Sequence, residues 1–347
     1  MVLVVLVGLG LVVALSAVLV GGVVAARGNT AESAGSAAPG APVESTPPTT
    51  LPPSTTTTTA LPPSRRAPGA VGVTTLTVVD PTRGTRARGG LGPVASRTLN
   101  VTVRYPVAGP TSSAEATDAP SQGTGALVVF AHGFDVSQAT YSSLLHDLAA
   151  AGFVVAAPDF PLSTSDAPGA AVEGDEAEQA RDISFVVDRL TDGTTSPSIT
   201  AAIRPGPVGV VGHSDGAVTV LLAGYSPTYA DPRIGAVISV SGAFDDYGGP
   251  WFSTRAPPLL ALHGGLDELN PLSRDQELVA NHPGPAALVV VGGASHLGAV
   301  TGAAEPAVAR LMADDLAWRL SGATGGSGAV AADEAAPPLR LESAKGD

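Results

Sequence analysis

The chain has 347 residues, a net charge of −13 and no cysteine. The missing cysteines exclude disulfide bonds, thiolate metal sites and a cysteine nucleophile. The acidic balance, with no basic stripe to offset it, argues against nucleic-acid binding. The chain is 44% hydrophobic, so it has ample material for a buried core.

The sequence begins with a long apolar segment. Val2–Ala26 contains no charged side chain and one polar one, Ser16. A helix of that length can span a hydrocarbon core of roughly 30 Å, so residues 1–27 are predicted to be a transmembrane anchor. The alternative is a signal peptide, with Val24–Ala26 as the small-residue cleavage site. Both alternatives predict an extracytoplasmic protein, either membrane-anchored or secreted. The basic residues are almost all Arg, with Lys345 the only Lys, which favours a bacterial genome rich in G and C.

The remaining chain divides into a linker, one domain and a tail. Residues 28–70 are rich in Pro, Thr, Ser, Ala and Gly, which predicts a disordered linker. Residues 71–320 alternate strand and helix patterns and are predicted to form a single catalytic domain. The tail, residues 321–347, opens with a Gly- and Ala-rich stretch and is also predicted to be disordered.

Two kinds of strand pattern occur in the domain. Val73–Val79 and Thr98–Tyr105 alternate and are β-branched, as is typical of paired antiparallel strands. Later strands are continuous apolar runs, which suit parallel strands buried on both faces. These runs are Leu127–Phe130, Phe153–Ala157, Val208–Val211, Ala236–Val240, Leu259–Leu262 and Leu288–Val291.

Helical patterns separate the apolar runs. They are Tyr141–Ala151, Glu176–Leu190, Gly216–Ala223, Asp275–Ala280 and Pro306–Leu320. This order predicts an α/β fold with a mostly parallel sheet, an antiparallel N-terminal edge and helices on both faces. No long insertion interrupts the pattern, so no separate lid domain is expected.

A nucleophile motif follows one of the buried runs. Gly212-His213-Ser214-Asp215-Gly216 is G-x-S-x-G placed between a strand pattern and a helix pattern. The flanking glycines let strand and helix approach each other without a Cβ clash. An ordinary strand-to-helix turn can have the same composition, but the context favours Ser214 as a nucleophile.

A serine nucleophile needs a histidine base, which in this kind of sheet follows the serine and the acid along the chain. Three histidines follow Ser214. His263, at the end of a strand pattern, is interpreted as structural, and His282 is predicted to lie in a surface loop. His296 follows the last apolar run, at the carboxyl edge of the sheet, and is the predicted base.

The predicted acid is Asp267, in the loop after the penultimate apolar run. The carboxyl edge of such a sheet is where catalytic loops gather. Its neighbour Glu268 is ranked below it. Asp245 and Asp246, one strand earlier, are an alternative position and are interpreted as solvated loop charges.

The oxyanion of acyl transfer needs two backbone donors. The N–H groups of Phe134 and Asp215 are the predicted pair, one after the strand pattern that ends at Phe130 and one after the nucleophile. The Phe134 ring would then line the acyl pocket. His132, just before this loop, is interpreted as a structural hydrogen-bonding residue.

Together these motifs resemble the α/β-hydrolase fold, and within it the dienelactone-hydrolase-related esterases. His132-Gly133-Phe134, the G-x-S-x-G pentapeptide, Asp267 and His296 carry the resemblance, which covers residues 71–320. The similarity is closest to bacterial cutinase-like polyester hydrolases and platelet-activating-factor acetylhydrolase-like enzymes.

The resemblance also indicates where substrate would be bound. Cutinase-like enzymes often carry a Trp after the sixth strand, where this chain has Phe244 and, further on, Trp251. Together with Phe134, these two are the expected substrate-binding residues. The chain departs from cutinase-like enzymes in having Asp215 where they usually have Met, and in having no cysteine for their C-terminal disulfide.

The resemblance implies a serine carboxylester hydrolase, of carboxylesterase, lipase or cutinase-like type, that forms an acyl-enzyme. It implies no cofactor and no metal. The expected partners are a small-molecule or lipid ester substrate and, through the N-terminal segment, a membrane, with a monomeric catalytic domain. One alternative is an acyltransferase that acts on cell-envelope lipids with the same triad. Another is a catalytically idle hydrolase-fold binding protein.

Overall fold

The computed structural model describes residues 68–242, 252, 256–321 and 327–346, with the backbone alone at 328, 329 and 332. The predicted anchor, residues 1–27, and all but the last three residues of the predicted linker, residues 28–70, lie outside this part of the chain. Within it, no helix combines the length and the apolar character needed to cross a lipid bilayer.

The described residues form one ten-stranded sheet, in the order β10-β9-β8-β7-β6-β4-β5-β2-β1-β3. The six strands β9, β8, β7, β6, β4 and β5 run parallel to one another. The pairs β1–β2, β2–β5 and β10–β9 are antiparallel, and the two-residue strand β3 pairs parallel with β1. The predicted parallel sheet with an antiparallel N-terminal edge is thereby confirmed. The strands are β1 (Ala70–Asp80), β2 (Arg97–Val107), β3 (Ala116–Thr117), β4 (Leu127–Ala131), β5 (Val154–Asp159), β6 (Val208–His213), β7 (Ile234–Val240), β8 (Leu259–Gly264), β9 (Ala286–Val291) and β10 (Leu339–Lys345).

Helices cover both faces of the sheet, as predicted. Successive side chains of a strand point to opposite faces, so Leu127 and Val129 of β4 enter one core, while Val128 and Phe130 enter the other. The first core includes residues of α2, α4 and α5, and the second includes residues of α1, α6 and α7. The helices are α1 (Ser142–Ala150), α2 (Glu176–Thr191), α3 (Pro197–Ala202), α4 (Asp215–Tyr225), α5 (Leu272–Asn281), α6 (Gly298–Thr301), α7 (Glu305–Ser321) and α8 (Ser327–Glu334).

The prediction that residues 321–347 are disordered is wrong for most of that segment. It contains α8 and the edge strand β10, which pairs antiparallel with β9. Val330 and Leu339 are buried, at 4% and 3% exposure. Backbone hydrogen bonds to a neighbouring strand need no hydrophobic run, so a composition rich in small residues did not reveal this strand.

A buried ion cluster attaches α2 to the first two strands. The Arg97 guanidinium donates to both carboxylate oxygens of Asp182, each at 2.8 Å, and to Asp175 at 2.5 Å. Arg83 adds a second guanidinium, 2.7 Å from Asp182. Arg97 and Asp182 are at most 1% exposed. Removing Asp182, the carboxylate that both guanidinium groups share, leaves buried positive charge that the remaining carboxylates balance only in part.

We predict that Asp182→Ala lowers the free energy of unfolding by about 3–5 kcal/mol, because Arg97 and Arg83 lose their shared carboxylate. Urea unfolding followed by circular dichroism measures this change. Asp188→Ala is the matched control, since Asp188 lies on the same helix but pairs with Arg233 at the surface, where Asp188 is 52% exposed. It should cost less than about 1 kcal/mol. Equal effects of the two substitutions would contradict the prediction.

Candidate active site

Ser214 lies at the turn between β6 and α4. Its backbone has φ +57° and ψ −122°, a left-handed conformation that costs a non-glycine residue free energy. The turn is held by the Ser214 N–H, which donates to Val240 O at 2.9 Å, and by its carbonyl, which accepts from Ala217 N at 2.9 Å. The strained conformation puts the hydroxyl at the tip of the turn, at the N-terminus of a helix.

Gly212 and Gly216 flank this turn because their neighbours leave no room for a side chain. A Cβ on Gly212 would collide with Gly216 O, and one on Gly216 would collide with Ala131 O at the end of β4. Both obstacles are backbone atoms, which cannot rotate away as a side chain can. The two glycines therefore allow the close approach of strand, helix and neighbouring strand that the turn needs.

The structure brings His296 and Asp267 together. His296 Nδ1 lies 3.0 and 2.9 Å from the two carboxylate oxygens of Asp267, and the imidazole is largely buried. Glu268, ranked second as the acid, contacts the backbone of His296 instead, because its Oε2 accepts from His296 N at 3.0 Å. The two neighbouring carboxylates thus occupy different positions around the same histidine.

Hydrogen bonds keep the Asp267 carboxylate ionised. Burial raises the pKa of Asp267, but hydrogen bonds from Asn270 N–H, His296 and Leu269 N–H outweigh it, so the pKa lies below its ordinary value. The backbone N–H groups of Leu269 and Asn270 donate to Oδ1 at 2.9 and 2.8 Å. A carboxylate that is ionised and fixed in this way can orient an imidazole and stabilise its cationic form.

His263 stabilises the loop after β8 that carries Asp267. Its Nε2 donates to Asn270 O at 3.2 Å, and its Nδ1 contacts Asp275 at 2.7 Å. Burial lowers the pKa of His263, but the hydrogen bond and the charge of Asp275 outweigh it and raise the pKa. His263 and Asp275 are each 1% exposed. Their pairing, which the sequence did not reveal, anchors the segment that carries Asp267.

His282 lies in the loop between α5 and β9, as predicted, but it is buried and not at the surface. Its side chain is fully buried, its Nε2 donates to Pro257 O at 3.2 Å, and its ring packs edge-on against Tyr225 with centroids 5.0 Å apart. The neighbouring Pro283 suggested a loop, but the order of residues along the chain does not show what packs over it.

His213, the residue before Ser214, contacts His296. His213, next to the serine, has its ring centroid 4.7 Å from that of His296, and its Nε2 is 3.1 Å from His296 O. In the described part of the chain, Ser214 Oγ makes no hydrogen bond to His296. Hydrogen bonds between nucleophile and base often form only when substrate is bound.

Hydrogen bonds hold the loop after β4 at Gly133 and at Asp135, on either side of Phe134. Gly133 N donates to Tyr141 Oη at 3.1 Å, and Asp135 N, at a residue with φ +54°, donates to Ser163 O at 2.8 Å. Between them, the N–H of Phe134 has no acceptor among the described residues. A backbone N–H that stays unpaired at a site is suited to an incoming oxygen.

His132 is held in one neutral form. Its Nε2 accepts from Phe160 N at 3.0 Å, so its proton is on Nδ1, which donates to Gly133 O at 2.8 Å. Burial lowers the pKa of His132 to about 4. Both nitrogens are occupied, so this histidine cannot accept a proton from Ser214.

Several predicted residues cannot be compared with the structure. Phe244 and Trp251, predicted to bind substrate, lie outside the described residues, as do Asp245 and Asp246. Phe134, the third residue of that set, is described and partly buried. In the described part of the chain, no group of three His, Asp or Glu side chains could hold a metal ion.

The sequence reasoning missed two side chains at the site, Tyr141 and His213. Both are nearly fully buried between the loop after β4 and the loop of His296. His213 was visible as the second residue of the G-x-S-x-G motif, and a histidine there was a signal for a polar partner. Tyr141 carried no signal, because its partner His213 lies far away in sequence.

Two of three comparisons with known proteins found matches. A family model described as Chlorophyllase matches residues 90–243. Among solved structures, 1167 chains match, one of them a ferulic acid esterase from Streptomyces cinnamoneus. That structure is 22% identical, with a TM-score of 0.61 over 82% of this chain and 98% of its own. A search of curated protein sequences found no match.

The fold and the family match define an α/β-hydrolase. Within that class the chain is a carboxylesterase-type hydrolase, similar over residues 90–243 to chlorophyllase.

We predict that His132→Gln reduces the dependence of stability on pH. The pKa of His132 is lower in the folded state than its ordinary value of 6.5, so the unfolded state binds more protons between about pH 4 and 6.5. Stability from this group is therefore complete above pH 6.5 and is lost as the pH falls towards 4. In this range, the free energy of unfolding changes by about 1.4 kcal/mol per pH unit through this one group.

Urea unfolding across this pH range measures the slope for both proteins. Glutamine can keep the acceptor for Phe160 N–H but does not titrate. The change of unfolding free energy with pH should therefore be smaller in the variant, by up to the contribution of one bound proton. Identical slopes would show that His132 is not held neutral by burial.

Proposed function

We propose that this protein is a serine carboxylester hydrolase that works through an acyl-enzyme, with Ser214, His296 and Asp267 as its triad. The observation that carries the proposal is the contact of His296 Nδ1 with both oxygens of Asp267, at 3.0 and 2.9 Å. A carboxylate in that position keeps the proton on Nδ1, so the lone pair of Nε2 is available as a base.

In the proposed reaction, His296 Nε2 takes the proton of Ser214 Oγ while the oxygen attacks the ester carbonyl. The tetrahedral intermediate collapses, the bond to the alcohol oxygen breaks, and the alcohol leaves with the proton from His296. Water then attacks the acyl-enzyme, again giving its proton to His296, and the acid is released as Ser214 is reprotonated. Asp267 stays ionised throughout and stabilises the imidazolium.

The N–H groups of Phe134 and Asp215 are the proposed oxyanion donors. Support for Phe134 comes from its N–H, which has no acceptor among the described residues, between two residues whose N–H groups are bonded. Support for Asp215 comes from its position as the first residue of α4, where helix N–H groups point towards the turn. Donors fixed before the reaction stabilise the negative charge without reorganisation.

The proposed substrates are uncharged or cationic small-molecule esters. Asp215 follows the nucleophile directly, and a carboxylate there disfavours an anionic acyl group by like-charge repulsion. The chain's net charge of −13 acts in the same direction. The similarity to a protein named as a ferulic acid esterase supports ester cleavage as the reaction.

We predict that purified protein hydrolyses p-nitrophenyl esters and that a fluorophosphonate probe labels it, whereas Ser214→Ala abolishes both. A panel from short to long acyl chains defines the acyl preference. Product analysis with an added alcohol separates hydrolysis from acyl transfer. Equal labelling of wild type and Ser214→Ala would remove Ser214 as the nucleophile.

The choice of acid is tested by a matched pair of neighbours. Asp267→Asn should lower kcat by about 10⁴-fold, because the amide favours the wrong imidazole tautomer. Glu268→Gln also removes one negative charge, but it keeps an acceptor for His296 N–H, so kcat should stay near the wild-type value. The reverse order would make Glu268 the acid.

We also propose that the enzyme works outside the cytoplasmic membrane, anchored or secreted through residues 1–27. The support is the charge-free segment Val2–Ala26, long enough for a helix to cross a bilayer. Residues 28–70 would then hold the domain away from the membrane.

The proposed location predicts that full-length protein, expressed in a bacterium, is found in the membrane fraction or the medium. The same chain without residues 1–27 should remain in the cytoplasm. Esterase activity on intact cells, with a membrane-impermeant substrate, distinguishes the two sides of the membrane. Full-length protein confined to the cytoplasm would contradict the proposed location.

A further inference from the structure

Tyr141 and His213 form a hydrogen-bonded bridge between two loops of the site. Tyr141 Oη lies 3.1 Å from Gly133 N and 2.9 Å from His213 Nδ1. At the other end, His213 Nε2 lies 3.1 Å from His296 O. The bridge therefore begins in the loop that carries Phe134 and ends on the backbone of His296 itself.

The acceptors and donors at its ends fix the direction of every hydrogen bond. His296 O can only accept, so the proton of His213 is on Nε2 and Nδ1 is an acceptor. The hydroxyl of Tyr141 must then donate to Nδ1, while its oxygen accepts from Gly133 N–H, which can only donate. Each donor and each acceptor of the bridge thereby has one partner, and no alternative arrangement satisfies them all.

Burial makes this arrangement costly to break. Tyr141 is 1% exposed and His213 is 2% exposed. Burial, together with the nearby charge of His296, lowers the pKa of His213 to about 4, so its ring is neutral at neutral pH. A buried polar group that loses its partner pays the cost of desolvation, so loss of one member weakens the whole bridge.

We propose that Tyr141 and His213 are positioning residues, which set the distance between the oxyanion loop and the general base. This inference rests on the proposed function, because it assigns a role in the same reaction. Gly133 precedes Phe134, the proposed oxyanion donor, and His296 is the proposed base. A shift of the bridge moves these two groups relative to Ser214, and misplacement of about 1 Å can cost about 10²-fold in rate.

Tyr141→Phe tests the bridge, with Tyr105→Phe as the matched control. Tyr105, in β2, is also a buried tyrosine, 3% exposed, and its hydroxyl donates to Ala119 O at 2.9 Å. Tyr141→Phe should lower kcat by about ten- to a hundredfold with KM near its wild-type value. Tyr105→Phe should leave kcat unchanged, although it too loses the hydrogen bond of a tyrosine hydroxyl.

A double-mutant cycle tests whether Tyr141 acts through His213. His213→Gln can keep a donor towards His296 O but loses the acceptor of Tyr141, so kcat should fall by a similar factor. Since both substitutions break the same bridge, the double variant should lose little more than either single variant. Losses in kcat that multiply would contradict a shared action.

Nitrogen NMR of ring-labelled histidine provides a readout independent of activity and of variant stability. In wild-type protein, His213 should be neutral with its proton on Nε2 at neutral pH. A proton on Nδ1, or wild-type kcat in Tyr141→Phe, would overturn this inference while the proposed function stands. Wild-type protein without any esterase activity would overturn both.

Discussion

The active site depends on one constraint, the left-handed turn at Ser214 between β6 and α4. The turn exists because Gly212 and Gly216 let β6, α4 and the end of β4 come into backbone contact. Since β4, β6, β7, β8 and β9 run parallel, the loops after β4, β8 and β9 leave the sheet at the same edge. The sheet thus brings the loops of Phe134, Asp267 and His296 to the serine, although they are far apart in sequence.

The histidines of the site are distinguished by their partners. Burial lowers the pKa of His132 and of His213 to about 4, and the groups that hydrogen-bond to their rings are neutral. His263 is equally buried but paired with Asp275, which raises its pKa. His296 has a carboxylate on Nδ1, and its ring lies beside His213, the residue before Ser214. The same side chain is therefore a fixed neutral link, an ionic anchor or a candidate base, according to what surrounds it.

Periodicity and motif spacing predicted the sheet, its helices and its antiparallel edge, because buried parallel strands leave continuous apolar runs. The chain order of nucleophile, acid and base led to Asp267 and His296, which the structure brings into contact; their catalytic roles stay predictions. The sequence could not reveal β10, which is stabilised by pairing with β9, or the burial of His282. It also could not reveal Tyr141 as a partner of His213, since long-range contacts leave no local pattern.

The position of His213 follows from the alternation of side chains along β6. Val210 packs into the core that contains α2, while Val211 packs into the core that contains α1 and α6. Two residues beyond Val211, the side chain of His213 points to that same face. The loop of Phe134 leads into α1 and the loop of His296 leads into α6, so both loops lie on the side that His213 faces. A polar residue immediately before the nucleophile is consequently placed to bind the two loops at once, and a histidine, with a donor at one end of its ring and an acceptor at the other, can join a tyrosine hydroxyl to a backbone carbonyl.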